Sequence, residues 1–263
     1  MRHGTGERVE PAVYAGLRLA VSLLTVVPVR CERVDREAAR WAMTLAPVAG
    51  LLVGAVAAAV LTVSGWLGFG SLLTAALAVG AMALLTRGLH LDGLADLADG
   101  LGSGKPAAEA LAIMKKSDIG PFGVITLVLT LAVQVAAIAE APVAAVVVAA
   151  MTGRLAVTWA CRTRVPPARP DGLGALVAGT VRSAGAIGAI AVTAAVGAVV
   201  ALTGPGGGAY DAALGAAAVL VGLAASAALL RHAVRRLGGV TGDVLGALVE
   251  TAVTAALLVL AVR

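Results

Sequence analysis

A chain of 263 residues with 60% hydrophobic and 13% charged residues and a mean hydropathy of +0.97 cannot cover a globular surface in water, where about a quarter of residues carry charge. The composition excludes a soluble enzyme and predicts an all-α, polytopic transmembrane helix bundle forming one domain over 1–263. Cys31 and Cys161 make no spaced cluster, against a disulfide framework or a zinc site; aromatics at 3% offer no stacking platform for nucleic acid; and the net charge of +5 reads as basic residues in cytoplasmic loops.

The first apolar stretch, Gly16 to Val29, contains Arg18 and runs into Pro28. It is shorter than the ~20 residues a span needs. The expectation is a re-entrant or interfacial helix and no cleavable signal peptide. From Trp41 to Thr86 no residue is charged. As a single helix this run would be about twice the hydrocarbon thickness, so it folds back on itself, with the turn at the glycines of 65–70. Further spans are expected at 121–139, from Pro142 to Cys161, at 184–203, 212–230 and 244–262, giving seven in all. Their connections alternate in charge. One set holds Arg30, Arg33, Arg36, Arg40, Arg87, Lys105, Lys115, Lys116, Arg162, Arg164, Arg169, Arg182, Arg231, Arg235 and Arg236; the opposite set holds Glu140 and Asp211 and no Lys or Arg. The positive-inside rule puts the first set, with Arg2 and Arg8, in the cytoplasm of a cell membrane.

Four constellations carry chemistry. In Gly88-Leu89-His90-Leu91-Asp92-Gly93-Leu94-Ala95-Asp96-Leu97-Ala98-Asp99-Gly100 the aspartates stand at i, i+4 and i+7, on one stripe of a helix. Three carboxylates on one stripe repel unless a cation lies between them, and oxygen ligands alone suit Mg²⁺ or Mn²⁺. A solvated, acidic helix start would account for one or two of them. On spacing, His90 reads as a helix-start residue. In Gly238-Gly239-Val240-Thr241-Gly242-Asp243, followed by Gly246 and Glu250, the two acids are again seven apart. Glu250 lies inside the last span, where an ionisable group is functional by default. Either it completes the metal site with Asp243, or it pairs with Arg154, which interrupts the fourth span. Lys115, Lys116 and Ser117, in a Gly-containing loop beside the aspartates, suit a phosphate-bearing substrate; ordinary juxtamembrane charge explains the lysines equally. Arg162 to Gly174 is a proline-stiffened, arginine-rich loop that either grips phosphate or only orients the protein. No nucleophile triad is present, which favours direct, metal-assisted phosphoryl-type transfer.

These stretches also carry a resemblance. The run from Gly88 to Leu101 is similar to the cobalamin synthase signature "GLHLDGLADxxDG", and the likeness continues through Ile113–Gly120, Ala168–Gly174 and Gly238–Ala247. Two departures from the family's pattern stand out: Lys116 and Asp118 exchange charges, and Val253 stands where the family often carries a second Glu. The resemblance implies a Mg²⁺-dependent transferase joining adenosylcobinamide-GDP to α-ribazole, or its 5′-phosphate, with release of GMP. It implies catalysis by Asp92, Asp96, Asp99 and Asp243, metal ligation by these and Glu250, and substrate binding by His90, Lys115, Lys116, Ser117, Arg154 and Arg169, on the cytoplasmic face of a bilayer. Partners would be the two substrates and lipid; nucleic acid is not one, and an oligomer is compatible. The acidic motif resembles more loosely that of CDP-alcohol phosphotransferases, but Asp96 stands where that pattern needs Ala-Arg. A transporter built on Glu250 and Arg154 is the third reading, disfavoured because the acids gather at one interface.

Overall fold

The computed structural model describes residues 10–202 and 207–262. The described chain is helical: α1 (Ala12–Leu24), α2 (Arg36–Thr44), α3 (Ala46–Trp66), α4 (Ser71–Leu85), α5 (Leu89–Gly102), α6 (Ala107–Ile113), α7 (Pro121–Glu140), α8 (Ala145–Ala160), α9 (Gly172–Val177), α10 (Ser183–Ala201), α11 (Ala209–Leu237) and α12 (Gly242–Leu260). A helix stands at each of the seven expected spans. Five of them, α3, α7, α10, α11 and α12, are long and apolar enough to cross a bilayer unaided. The fold-back at 65–70 falls between α3 and α4 as expected. Part of the glycine-rich turn at 204–208, like the N-terminal segment with Arg2 and Arg8, lies outside the described residues.

The two short members have different reasons for their length. Helix α8, at 16 residues, is buried along nearly its whole surface, packed by α3, α10, α11 and α12. A helix enclosed by protein need not match the lipid thickness. Small residues allow the enclosure: a Cβ on Gly50 of α3 would meet Ala150 O at 2.5 Å, and one on Gly153 of α8 would meet Val253 Cγ2 at 2.7 Å. Helix α4, at 15 residues, stops at Thr86-Arg87-Gly88. Arg87 and Gly88 both take positive φ, 53° and 65°, and α5 leaves at 89° to α4. Helix α5 spans 14 residues, about 21 Å, and carries three aspartates, so it is not itself a membrane span.

The N-terminal third differs from the sequence reading in register. Helix α1 covers Ala12–Leu24, not 16–29, and ends where Thr25 Oγ1 donates back to Val21 O at 2.7 Å while Val26 N donates across to Leu85 O. Its 13 residues, about 20 Å, fall short of the ~30 Å hydrocarbon core. Trp41 does not open the first span but sits within α2, a separate amphipathic helix. Asp35 caps it, accepting from Glu37 N and Ala38 N. Gly16 lies against Trp41 and fastens α1 to α2.

The basic connections converge on one end of the bundle. Arg162 bridges to Val181 and Pro167 to Val240. Arg36 donates to Ala175 O and Ala178 O, Arg169 to Leu111 O, and Arg236 to Lys105 O. Four separate loops are thereby held as one surface.

Candidate functional site

At that end the N-terminal halves of α5 and α12 lie against each other. Thr241 caps α12 by accepting from Val244 N, and its hydroxyl also donates to Asp243 Oδ2, both at 3.2 Å. Two glycines bring the helices together. A Cβ on Gly93 would lie 2.7 Å from Asp243 O, and one on Gly246 would lie 3.1 Å from His90 Cα. Gly93 and Gly246 therefore do steric work within the two most specific motifs. They bring Asp243 beside Asp92 and Asp96, three carboxylates from two helices. Burial, then the charges of Asp92, Asp243 and Asp99, push the Asp96 carboxyl up to about 7, against a smaller opposing effect of Arg169.

Arg169 and Lys115 face these acids. Arg169 is fixed by its own bond to Leu111 O, at 2.5 Å. Its loop is pinned to the segment that leads into α12 by a close approach at Gly239, where a Cβ would strike Pro166 O. Asp92, Asp243, His90, Lys115 and Arg169 line one cavity of about 340 Å³, whose floor is apolar, with Leu24, Met43 and Leu245. Lys115 is exposed and 3.9 Å from Asp171. Lys116 lines a separate concavity of about 260 Å³, with Asp96, Asp99 and Asp118. Ser117 is exposed and lines neither cavity.

Two residues expected in the acidic site have other roles. Asp99 shares the stripe, but its oxygens are occupied: Gly120 N donates to Oδ2 at 2.7 Å and Gly123 N to Oδ1 at 2.9 Å. It is buried and anchors the first turn of α7. Glu250 shares a face of α12 with Asp243, yet two helical turns, roughly 10 Å, separate their heights. Glu250 Oε2 accepts from Gln134 Nε2 at 2.8 Å, and Gln134 also donates to Thr254. Arg154, 2% exposed, lines the same small cavity of about 10 Å³ as Glu250 and Gln134, and its Nη2 lies 3.3 Å from His90 Nδ1. Glu250 thus belongs to a polar group inside the bundle, and so does Arg154, which does not line the larger cavity. Gln134 escaped the sequence reading. Its signal was an amide interrupting the apolar run of α7, buried at 3% exposure.

Among the described residues no three His, Cys, Asp or Glu side chains close into a ready-made metal cage. Asp92, Asp96 and Asp243 nevertheless fit one kind of ion. They are hard oxygen donors crowded together, and Asp92 is exposed. Mg²⁺ is held in this manner, by one or two carboxylates with waters and substrate phosphates completing the shell. Asp99, whose two oxygens each accept a backbone N–H, and Glu250, two turns deeper beside Gln134, stand apart from this group.

Fold and site together define a polytopic helical membrane protein with an acidic, cation-flanked cavity at one end, the equipment of a group-transfer enzyme acting on phosphate-bearing substrates. The chain matches the family described as Cobalamin-5-phosphate synthase over residues 16–261 and belongs to it. It is 46% identical to the adenosylcobinamide-GDP ribazoletransferase of Frankia casuarinae over 93% of both chains. It is 43% identical to that of a Nocardioides strain, over 94% of this chain and 98% of the relative, and 41% identical to that of Bradyrhizobium diazoefficiens, over 95% and 94%. No solved structure matches it.

Proposed function

We propose that this chain is an adenosylcobinamide-GDP ribazoletransferase, the enzyme of the last assembly step of adenosylcobalamin. The family match along the chain and the names of its relatives support the reaction. The observation that carries the chemistry is one cavity lined by Asp92 and Asp243 together with Arg169 and Lys115, with Asp96 near enough to feel the charges of both acids. A ribose hydroxyl of α-ribazole, or of its 5′-phosphate, attacks the phosphorus attached to cobinamide. The new P–O bond forms as the diphosphate bridge breaks, GMP departs with the electron pair of that bond, and the hydroxyl proton is released to water.

The chain's own residues supply binding and orientation. Arg169, held by Leu111 O, and Lys115 are the cations available to phosphate oxygens. Asp92, Asp96 and Asp243 would hold Mg²⁺, which when bound offsets the charge of the diphosphate and of the leaving group. Asp99 contributes indirectly, by fixing the 120–123 turn next to the aspartates. The apolar floor formed by Leu24, Met43 and Leu245 suits a ring system better than a free anion. The positive-inside pattern supports a cytoplasmic position for this end of the bundle in the cell membrane.

The test is direct. Protein purified into lipid nanodiscs is given adenosylcobinamide-GDP, α-ribazole and Mg²⁺, and GMP and the corrinoid product are measured together. Equimolar appearance of both is expected. Release of CMP from a CDP-alcohol, with no GMP from the corrinoid donor, would instead assign a phospholipid-type phosphotransferase.

A further inference from the structure

Asp171 has no part in the chemistry above, yet it lines the same cavity as Asp92 and Asp243. It stands at the N-cap position of α9, where an aspartate ordinarily accepts from the first backbone N–H groups of its helix. Here it makes no such bond. Gly172, the first residue of α9, takes a φ of 78°, outside the helical range that capping requires of that turn. Lys115 Nζ lies 3.9 Å from Asp171 Oδ2, beyond hydrogen-bond distance. The Asp171 side chain is 71% exposed, so its carboxylate stands at the rim of the cavity with both oxygens open to a ligand.

A carboxylate with two open oxygens accepts two adjacent donors. The substrates bring two ring systems small enough for a cavity of about 340 Å³, guanine and the benzimidazole of α-ribazole; a corrin macrocycle is too large. The benzimidazole carries no N–H. Guanine carries two donors side by side, N1–H and the 2-amino group, spaced to meet the two oxygens of one carboxylate. Leu173, two residues beyond Asp171, lines the cavity with Leu24, Met43 and Leu245 and offers apolar contact to the faces of a planar base. Arg169, Asp92 and Asp243 line that cavity too, so one cavity holds partners for both ends of a nucleotide.

We propose that Asp171 selects the base of the leaving nucleotide: its two carboxylate oxygens accept N1–H and the 2-amino group of guanine. The inference rests on the transferase reading above, which brings a guanine nucleotide to this cavity. A ribose diol also offers two donors, and the experiment separates the two.

Nucleoside monophosphates are the probes, titrated by calorimetry at one fixed Mg²⁺ concentration into protein in nanodiscs. The inosine nucleotide lacks the 2-amino group, the xanthosine nucleotide has a carbonyl in its place, and 2′-deoxy-GMP lacks only a ribose hydroxyl. One hydrogen bond to a charged partner is worth about ten-fold in affinity. Wild type should bind GMP about ten-fold tighter than the inosine nucleotide, and 2′-deoxy-GMP within about three-fold of GMP. Asp171→Ala should abolish the preference for GMP over the inosine nucleotide. Asp171→Asn should bind the xanthosine nucleotide at least about ten-fold better than wild type does, because the amide donates to the C2 carbonyl while its oxygen accepts N1–H. A merely structural role would weaken every nucleotide alike and could not produce that gain. Equal binding of GMP and the inosine nucleotide by wild type, a loss confined to 2′-deoxy-GMP, no gain for the xanthosine nucleotide in Asp171→Asn, or a wild type that binds none of the four overturns the proposal. The wild-type comparison needs no variant, so it decides the matter even if a variant fails to fold. The two readings fail separately. Wild-type turnover to GMP without discrimination at the 2-amino group removes only this inference. The expected pattern of nucleotide binding, without any GMP release from the corrinoid donor, removes only the transferase.

Discussion

Gly93→Ala is the sharpest single test of how the site is built. The added Cβ would lie 2.7 Å from the carbonyl oxygen of Asp243, 2.9 Å from its Cα and 3.2 Å from its carbonyl carbon. All three are backbone atoms, so no side-chain rotation relieves the clash. To restore ordinary contact near 3.5 Å, α12 must withdraw from α5 by about 0.8 Å at the position that carries Asp243. Overpacking of this kind typically costs about 1–3 kcal/mol. The effect on turnover should be larger than on folding, because a shift near 1 Å in a reacting constellation can cost about 100-fold in rate. The measurement is GMP release per folded molecule, with the folded fraction set by size-exclusion chromatography and thermal unfolding in the same detergent. A fall of one to two orders of magnitude, with most of the protein still folded, is expected. A Gly93→Ala protein with wild-type turnover would refute the claim that Asp243 works in register with Asp92 and Asp96.

Asp92→Asn and Asp243→Asn should remove activity while leaving yield and melting temperature near wild type, since neither carboxylate holds another element in place. Asp99→Asn should behave differently: an amide cannot accept from both Gly120 N and Gly123 N, so a loss of about 1–3 kcal/mol and faster proteolysis within 114–123 are expected, and unchanged stability would contradict its anchoring role. Chelation with EDTA should abolish GMP release and added Mg²⁺ restore it; Mg²⁺ should also raise the melting temperature of wild type but not of Asp92→Asn/Asp243→Asn, and activity persisting in EDTA would exclude the ion. On a Cys31→Ser background, Glu109→Cys and Leu67→Cys should be labelled by an impermeant maleimide from opposite sides of the membrane, with reaction from the same side sinking the topology.

The seven apolar runs were legible because composition alone separates lipid-facing helices from the loops that join them. What composition could not supply was height. Spacing of i, i+7 places Asp243 over Glu250 and Asp92 over Asp99 on common stripes, but the same spacing sets them two turns apart along the axis. In both cases the neighbours on other helices decided the outcome. The amides of α7 claim Asp99, and Gln134 claims Glu250. The glycine content of the motifs was visible in the sequence, but its purpose was not, because the atom that a side chain at Gly93 would strike lies 150 residues further along the chain. Helix α2 was hidden by its charges: Arg36, Glu37 and Arg40 resemble a loop until Asp35 is seen capping a helix whose buried face is Ala38, Ala39, Ala42 and Met43.

The polar group beneath the cavity answers a question that lipid poses for any active site of this type. Apolar helices gain little hydrophobic energy from meeting each other in hydrocarbon, so packing of small residues and a few polar contacts must set their register. The site needs that register: His90 and Asp92 come from α5, Asp243 from α12, and neither helix is joined to the other by a short loop. Arg154 adds a polar link to the direct packing of α5 on α12 at Gly93 and Gly246. It reaches His90 of α5 from the enclosed helix α8 and shares a cavity with Glu250 of α12, which Gln134 ties in turn to α7. A lone charge at the centre of a span costs about 2.5–3.5 kcal/mol on insertion scales, so Arg154 or Glu250 alone would be a liability. Opposed, with Gln134 giving a hydrogen bond to Glu250 and His90 lying 3.3 Å from Arg154, they join the helices that deliver the site. A sliding error of one turn in α5 or α12 would strand a buried charge, so the charges that looked like candidate ligands specify which turn of α5 meets which turn of α12.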